Sequence, residues 1–294
     1  MSKFSRRNFI KTGVAAGALA TTTNLPLHAA TNAATEWVTL GKSGVKVTRL
    51  AFGTGTFNGH VQQALGQEGF TRLVRYAYDH GIRFFETAES YGESQQMLGT
   101  ALKGLPRDSY RLMTKVTTWD SGNPSDRLND LLRNSKTDYF DIMLLHIQTS
   151  PTWPEKSKKW QDAILEAQQK KTIIARGASV HGLPALRQVP GDPWLQIAMI
   201  RMNQKGVAMD AASPYTRGLG DVPKVVEHVK QTLAAGKGVI SMKLVGEGRF
   251  KSREERQKSM RFAFKHAGVD AVTVGYKNTA EIDEAIENIN LAYA

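Results

Sequence analysis

Eight short apolar runs recur between residues 50 and 276, and a helical or loop segment follows each one. They read Leu50–Gly53, Ile82–Glu86, Tyr110–Lys115, Asp141–His146, Ile173–Ser179, Leu195–Met199, Gly238–Met242 and Ala271–Tyr276. Strands alternating with helices imply parallel pairing, because each return path must cross the sheet. Eight such units close most readily into a (β/α)8 barrel, an α/β fold of the TIM type formed as a single domain. Two further short runs, Trp37–Leu40 and Val45–Val47, surround Gly41–Gly44 and read as a hairpin closing the barrel floor. The clearest helical patterns lie at Phe70–His80, Gln95–Leu102, Trp160–Gln169, Val222–Ala235, Glu254–His266 and Ala280–Ile289.

In a closed barrel every strand opens at its C-terminal end onto one face, so residues far apart in sequence meet there. Glu86, Lys115 and His146 end three of the runs, and Tyr91 lies in the loop after Glu86. A phenol, an ammonium, an imidazole and a carboxylate together form a proton-transfer set. The free phenol has a pKa of about 10, and a lysine within roughly 4–6 Å is expected to pull it down. The carboxylate would hold that lysine charged, and the imidazole would hydrogen-bond a substrate oxygen. The set lacks a serine or cysteine nucleophile, and no histidine pair has metal-ligand spacing. Carbonyl reduction suits it, with hydride supplied by a bound cofactor.

Gly81–Gly99, GIRFFETAESYGESQQMLG, resembles the aldo-keto reductase pattern GxxxFDTAxxYGxSExxLG. The resemblance runs from about Leu40 (LGKSGVKVTRLAFGTGTF) to about Glu284. It includes MTKV at Lys115, DIMLLH at His146, GASVH at Ser179, IRMN before Gln204 and GYKNTAEIDE near the end. It implies a barrel enzyme moving hydride between NADP(H), or alternatively NAD(H), and an aldehyde, ketone or sugar-type carbonyl or the matching alcohol. The family's tyrosine acid, lysine and histidine fall on Tyr91, Lys115 and His146, and its aspartate falls on Glu86, one methylene longer. On the cofactor side the resemblance implies roles for Gly53, Thr54, Ser179, Asn203, Met242, Lys243, Lys277, Asn278 and Glu284. Ser179 matches the serine that holds the nicotinamide carboxamide, and Lys277 stands where a 2′-phosphate would be met. Lys243–Gly248, KLVGEG, is expected to cover the diphosphate. Departures are Val180 for an asparagine, Met199 for a glutamine, Met242 for the stacking aromatic, and Glu281 and Asp283 where a cation or glutamine is usual. Glu86, Met199 and Val180 also feed an alternative reading, a barrel that binds a sugar or nucleotide without catalysis; a further alternative is an isomerase that retains its cofactor.

At the start, Ser5-Arg6-Arg7-Asn8-Phe9-Ile10-Lys11 fits the twin-arginine export pattern, and a mildly apolar run follows over Gly13–Ala20. Small residues at Ala29–Ala30 offer a cleavage site, with Ala33–Ala34 as alternatives. Residues 1–34 therefore read as leader and short linker, and 35–294 as the barrel. The expected partner is the twin-arginine export machinery, the expected location is the periplasm, and no stable membrane insertion is expected after cleavage. The formal charge is +12, and Lys3, Arg6, Arg7 and Lys11 supply four of those charges. The remaining excess is dispersed, with Lys156–Lys159 and Lys251–Arg261 read as solvated helix faces, so nucleic-acid binding is not expected. Absence of cysteine excludes disulfides and thiolate metal sites. Trp119 and Trp153 are expected to line the cleft, His181 to lie at its rim, and Glu89 and Glu93 to be solvated.

Overall fold

The computed structural model describes residues 32–119, 122–213 and 218–294. The twin-arginine motif and the cleavage site at Ala29–Ala30 lie outside the described residues. Among the described residues ten strands form, β1 (Trp37–Thr39), β2 (Lys46–Thr48), β3 (Leu50–Gly53), β4 (Phe84–Glu86), β5 (Arg111–Val116), β6 (Phe140–Gln148), β7 (Ile173–Val180), β8 (Ile197–Arg201), β9 (Gly238–Met242) and β10 (Ala271–Gly275). β1 and β2 are the antiparallel hairpin, and β3 to β10 close into an eight-stranded parallel barrel. The hairpin's Leu40, Val45 and Val47 pack with the inward residues of the barrel and plug one mouth.

Strand periodicity divides the core in two. Ala51, Phe84, Met113, Ile142, Leu144, Ala175, Ile197, Met199 and Ile240 point inward and fill the barrel. Phe52, Phe85, Leu112, Met143, Leu145 and Val239 point outward, under the helices. The helix Gly66–Asp79 shows why these segments dock: Phe70, Leu73, Val74 and Ala77 form one buried stripe. Pro124–Ser135 is a further helix, started by Pro124 and capped by Asn123, whose side chain accepts from Ser125 N–H. Of its apolar side chains only Leu128 and Leu131 are buried, a narrow stripe on an otherwise polar helix.

Two segments differ from the sequence expectation. The pattern read as one helix over Glu254–His266 divides into Arg253–Arg261, with a Ser252/Glu255 capping box, and a wider π-turn over Phe262–Ala267. Between β7 and β8 only the single turn Leu183–Leu186 forms, and Pro190 and Pro193 prevent its extension. Ala33 and Ala34 are buried in the outer core, and Ala34 N–H donates to Asn290 Oδ1 at 3.0 Å. Among the described residues no helix is long and apolar enough to cross a membrane.

Candidate active site

Register explains how the polar side chains meet. Glu86 pairs with Met113, and Lys115 lies two residues further along β5. Lys115 pairs with Leu144, and His146 lies two residues further along β6. Each step of two keeps the inward orientation, so Glu86, Lys115, His146 and Ser179 crown the apolar interior. Tyr91 arrives from the loop after β4, where its carbonyl accepts from Gln63 Nε2 at 2.7 Å and from Ser94 N–H at 3.0 Å. Gly55 lies against its ring: a Cβ there would sit 2.5 Å from Tyr91 Cε2 and Cζ.

Lys115 organises the site. Its side chain is wholly buried and Glu86's is 3% exposed, so the two form an ion pair removed from water. Lys115 Nζ donates to Glu86 Oε1, to Thr87 O at 2.8 Å and to Tyr91 Oη at 3.2 Å. An ammonium has three donors and no acceptor, so all three are engaged. The contact with Tyr91 must use a lone pair of the phenol oxygen, which leaves the phenol's own proton free to be donated.

The electrostatics correct one expectation. Burial pushes the Tyr91 phenol well above its ordinary range, and the Glu86 carboxylate adds to the rise. Desolvation outweighs the Lys115 charge, which the hydrogen-bonded Glu86 offsets. Burial also lowers Lys115, against the opposing pull of Glu86. His146 is held well below the usual imidazole range, first by burial and then by the charges of Lys115, His181 and Lys243. It is therefore neutral near pH 7, with Nδ1 3.0 Å from Ser90 Oγ and its ring edge-on to Tyr91 at 5.5 Å. His181 is half-buried beside these groups and is likewise depressed, by burial first and then by Arg201.

Two adjoining cavities lead away from Tyr91. The inner one, about 80 Å³, is lined by Gly53, Gly55, Tyr91, Met199, Met242 and Lys243. The outer one, about 390 Å³, runs past Tyr276, Lys277, Glu281, Glu284 and Arg256. Thr56, Phe57, Val245, Glu247 and Gly275 line both. Ser179 lines neither cavity but pairs in register with Met199 of the inner one, and its Oγ is fully buried with no hydrogen-bond partner among the described residues, a hydroxyl whose chemistry would fit a carboxamide. Met242 offers a thioether surface to a ring.

The other implied cofactor residues divide. Gly53, Met242 and Lys243 line the inner cavity, and Lys243 Nζ pairs with Glu247 Oε1 at 2.5 Å. Lys277 and Glu284 line the outer one, and Lys277 Nζ stands 3.7 Å from Glu281 Oε1. Asn278 caps the final helix, Thr279–Tyr293, by accepting from Glu281 N–H. Thr54 Oγ1 donates to Thr87 Oγ1 at 3.0 Å, tying two strand ends together. Asn203 is fully buried, its amide donating to Val207 O and Lys243 O and accepting from Lys205 and Val207 N–H. Its bonds order the loop beside the cavity.

Other expectations change. Trp153 is buried and donates to Ala185 O, so it is a core residue, whereas Trp119 is exposed on the loop after β5. Glu89 is not free in solvent: it accepts from Thr117 N–H and Oγ1 and pairs with Arg127. Asp283 does not line the outer cavity and accepts from Tyr76 Oη at 2.9 Å. Arg256 leaves the basic helix face read as solvated and grips both oxygens of Glu284, at 2.5 and 2.7 Å. Among the described residues no group of acidic and histidine side chains could hold a metal ion.

The Aldo/keto reductase family model matches residues 49–261, which include Glu86, Tyr91, Lys115, His146 and Ser179 and stop short of β10 and the final helix. The chain belongs to the aldo/keto reductase family. As a member of this family it is an NAD(P)-dependent oxidoreductase by class. A twin-arginine translocation signal sequence matches residues 3–23, around Arg6 and Arg7, and indicates export by that pathway. An aldo-keto reductase of Glycine max is 27% identical over 231 residues, spanning 68% of this chain and 65% of its own length. The L-galactose dehydrogenase of Arabidopsis thaliana is 24% identical over 281 residues, 84% of this chain and 86% of that protein. An aldo-keto reductase structure from Pseudomonas aeruginosa superposes with a TM-score of 0.71 at 21% identity, covering 89% of this chain and 97% of its own. One from Klebsiella pneumoniae, solved in complex with NADPH, gives a TM-score of 0.64 at 18% identity, covering 87% of this chain and 89% of its own. The likeness to both structures is one of fold.

Proposed function

We propose that this family member is an exported NADP(H)-dependent reductase of aldehydes, ketones or sugar-type carbonyls, with Tyr91 as the proton donor. The nucleotide, when bound, supplies the hydride. Every other part of the reaction belongs to side chains of the crown. His146, neutral and edge-on to Tyr91, orients the carbonyl oxygen. Tyr91 passes its phenol proton to that oxygen as negative charge develops there, and Lys115 supports the phenolate left behind. Ser179 holds the carboxamide of the nicotinamide, and Lys277, with an exposed ammonium, favours the phosphorylated cofactor. The twin-arginine route carries folded proteins, so the nucleotide would be bound before export to the periplasm.

The observation that carries this reading is the contact of Lys115 with Tyr91, which leaves one phenol proton unshared at the lining of the inner cavity. Tyr91→Phe should bind NADPH normally by calorimetric titration yet lose about 10²–10⁴-fold in turnover of a carbonyl panel. Full turnover in that variant would refute the donor assignment. Lys277→Ala should weaken NADPH selectively over NADH in the same titrations.

A further inference from the structure

Glu86 occupies the aspartate position of the resembling pattern, and the extra methylene has a visible destination. One carboxylate oxygen accepts from Lys115 on β5; the other, Oε2, accepts from Thr273 Oγ1 on β10 at 3.2 Å. In the barrel β10 is separated from β4 by β3, so this second bond passes over an intervening strand. The residue of β3 paired with Glu86 is Gly53. A Cβ at Gly53 would stand 2.6 Å from Thr273 Oγ1 and 3.0 Å from Glu86 Oε2. The bridge over β3 therefore requires a residue without a side chain at 53. Thr273 is itself buried and points inward, in step with Ala271.

We infer that Gly53, Glu86 and Thr273 are one fitted unit, in which Thr273 is a positioning residue that fixes the carboxylate holding Lys115 against Tyr91. This rests on the reading of Tyr91 as proton donor. A carboxylate with both oxygens tethered cannot swing, so the Lys115 ammonium keeps its third donor on the phenol. An aspartate, one methylene shorter, cannot hold Lys115 and reach across β3 together. Glu86 is thus the residue this seat is shaped for, and restoring aspartate would impair the enzyme.

The full-length protein with NADPH and 4-nitrobenzaldehyde as probe gives the first test. Thr273→Val should lower kcat about tenfold or more, the usual effect of losing a hydrogen bond to a charged group, while the dissociation constant of NADPH stays the same. Thr273→Ser, which restores the hydroxyl, should recover most of the lost kcat. Glu86→Asp should lower kcat as well, and adding Thr273→Val to it should change nothing further, because the shortened carboxylate has already let go. Unchanged kcat in Thr273→Val, or losses that multiply independently in the double variant, would overturn the inference. Thermal unfolding without substrate is the second test. Thr273→Val should lower Tm when Glu86 is present and leave it unchanged in the Glu86→Asp background; equal shifts in both backgrounds overturn the unit even if the probe is not turned over. Retained activity in Tyr91→Phe would refute the functional reading alone and leave the unfolding cycle to judge the seat.

Discussion

Gly55 gives the sharpest test of how tightly Tyr91 must be held. A Cβ there would lie 2.5 Å from two ring carbons of Tyr91 and 2.7 Å from its hydroxyl. Ordinary contact begins at 3.4 Å, so Gly55→Ala must move the ring by about 1 Å. The backbone at Gly55 is outside the left-handed region, so alanine is strained only through this contact. Tyr91 Oη now sits 3.2 Å from Lys115 Nζ, and a 1 Å retreat would take it beyond hydrogen-bond range. A misplacement of about 1 Å in a reacting group costs about 10²-fold. Steady-state turnover of a carbonyl probe with NADPH should therefore fall about a hundredfold in Gly55→Ala, roughly 2.7 kcal/mol of barrier. Because the effect acts through the phenol, the same substitution in a Tyr91→Phe background should cost little more. Turnover in Gly55→Ala within about threefold of the parent, under 1 kcal/mol, would refute the reasoning.

Two further outcomes follow from burial. His181 is held well below the ordinary imidazole range by burial and by Arg201, so the unfolded chain takes up a proton that the folded one refuses. The stability this permits is complete above the unfolded pKa of about 6.5 and is lost as pH falls through that value toward the folded pKa; His181→Gln should flatten the fall of Tm below about pH 6.5, and parallel curves would disprove it. Ala33 and Ala34 are packed and Ala34 N–H is bonded to Asn290, so leader removal is expected after Ala29 or Ala30. Intact mass of the exported protein checks this, and a chain beginning at Ala34 or later would contradict it.

The eight barrel strands were legible because each is a short apolar run bounded by helix or loop, and inward orientation follows from counting by two. The meeting of three polar side chains was legible for the same reason: Glu86, Lys115 and His146 continue the inward series of Phe84, Met113 and Leu144. Parity says nothing about loops. Trp153 follows β6 in sequence, yet its indole turns inward to Ala185, a contact set by tertiary packing. Arg256 looked like one more cation on a charged helix, and only the neighbouring final helix reveals Glu284 as its partner. The direction of the Tyr91 shift also escaped, because the charge of Lys115 can be read from sequence but its cancellation by a hydrogen-bonded glutamate cannot.

The bare backbone at residue 53 also sets an order on mutational change. With glycine there, a carboxylate of either length has room at residue 86. Once the longer one reaches Thr273, a side chain at 53 would collide with both members of the bond. Glycine must therefore precede glutamate along any route on which each intermediate works, and reversal must begin at residue 86. A single hydrogen bond across one strand thus becomes a ratchet, making the harmfulness of a substitution at 53 depend on a neighbour acquired later.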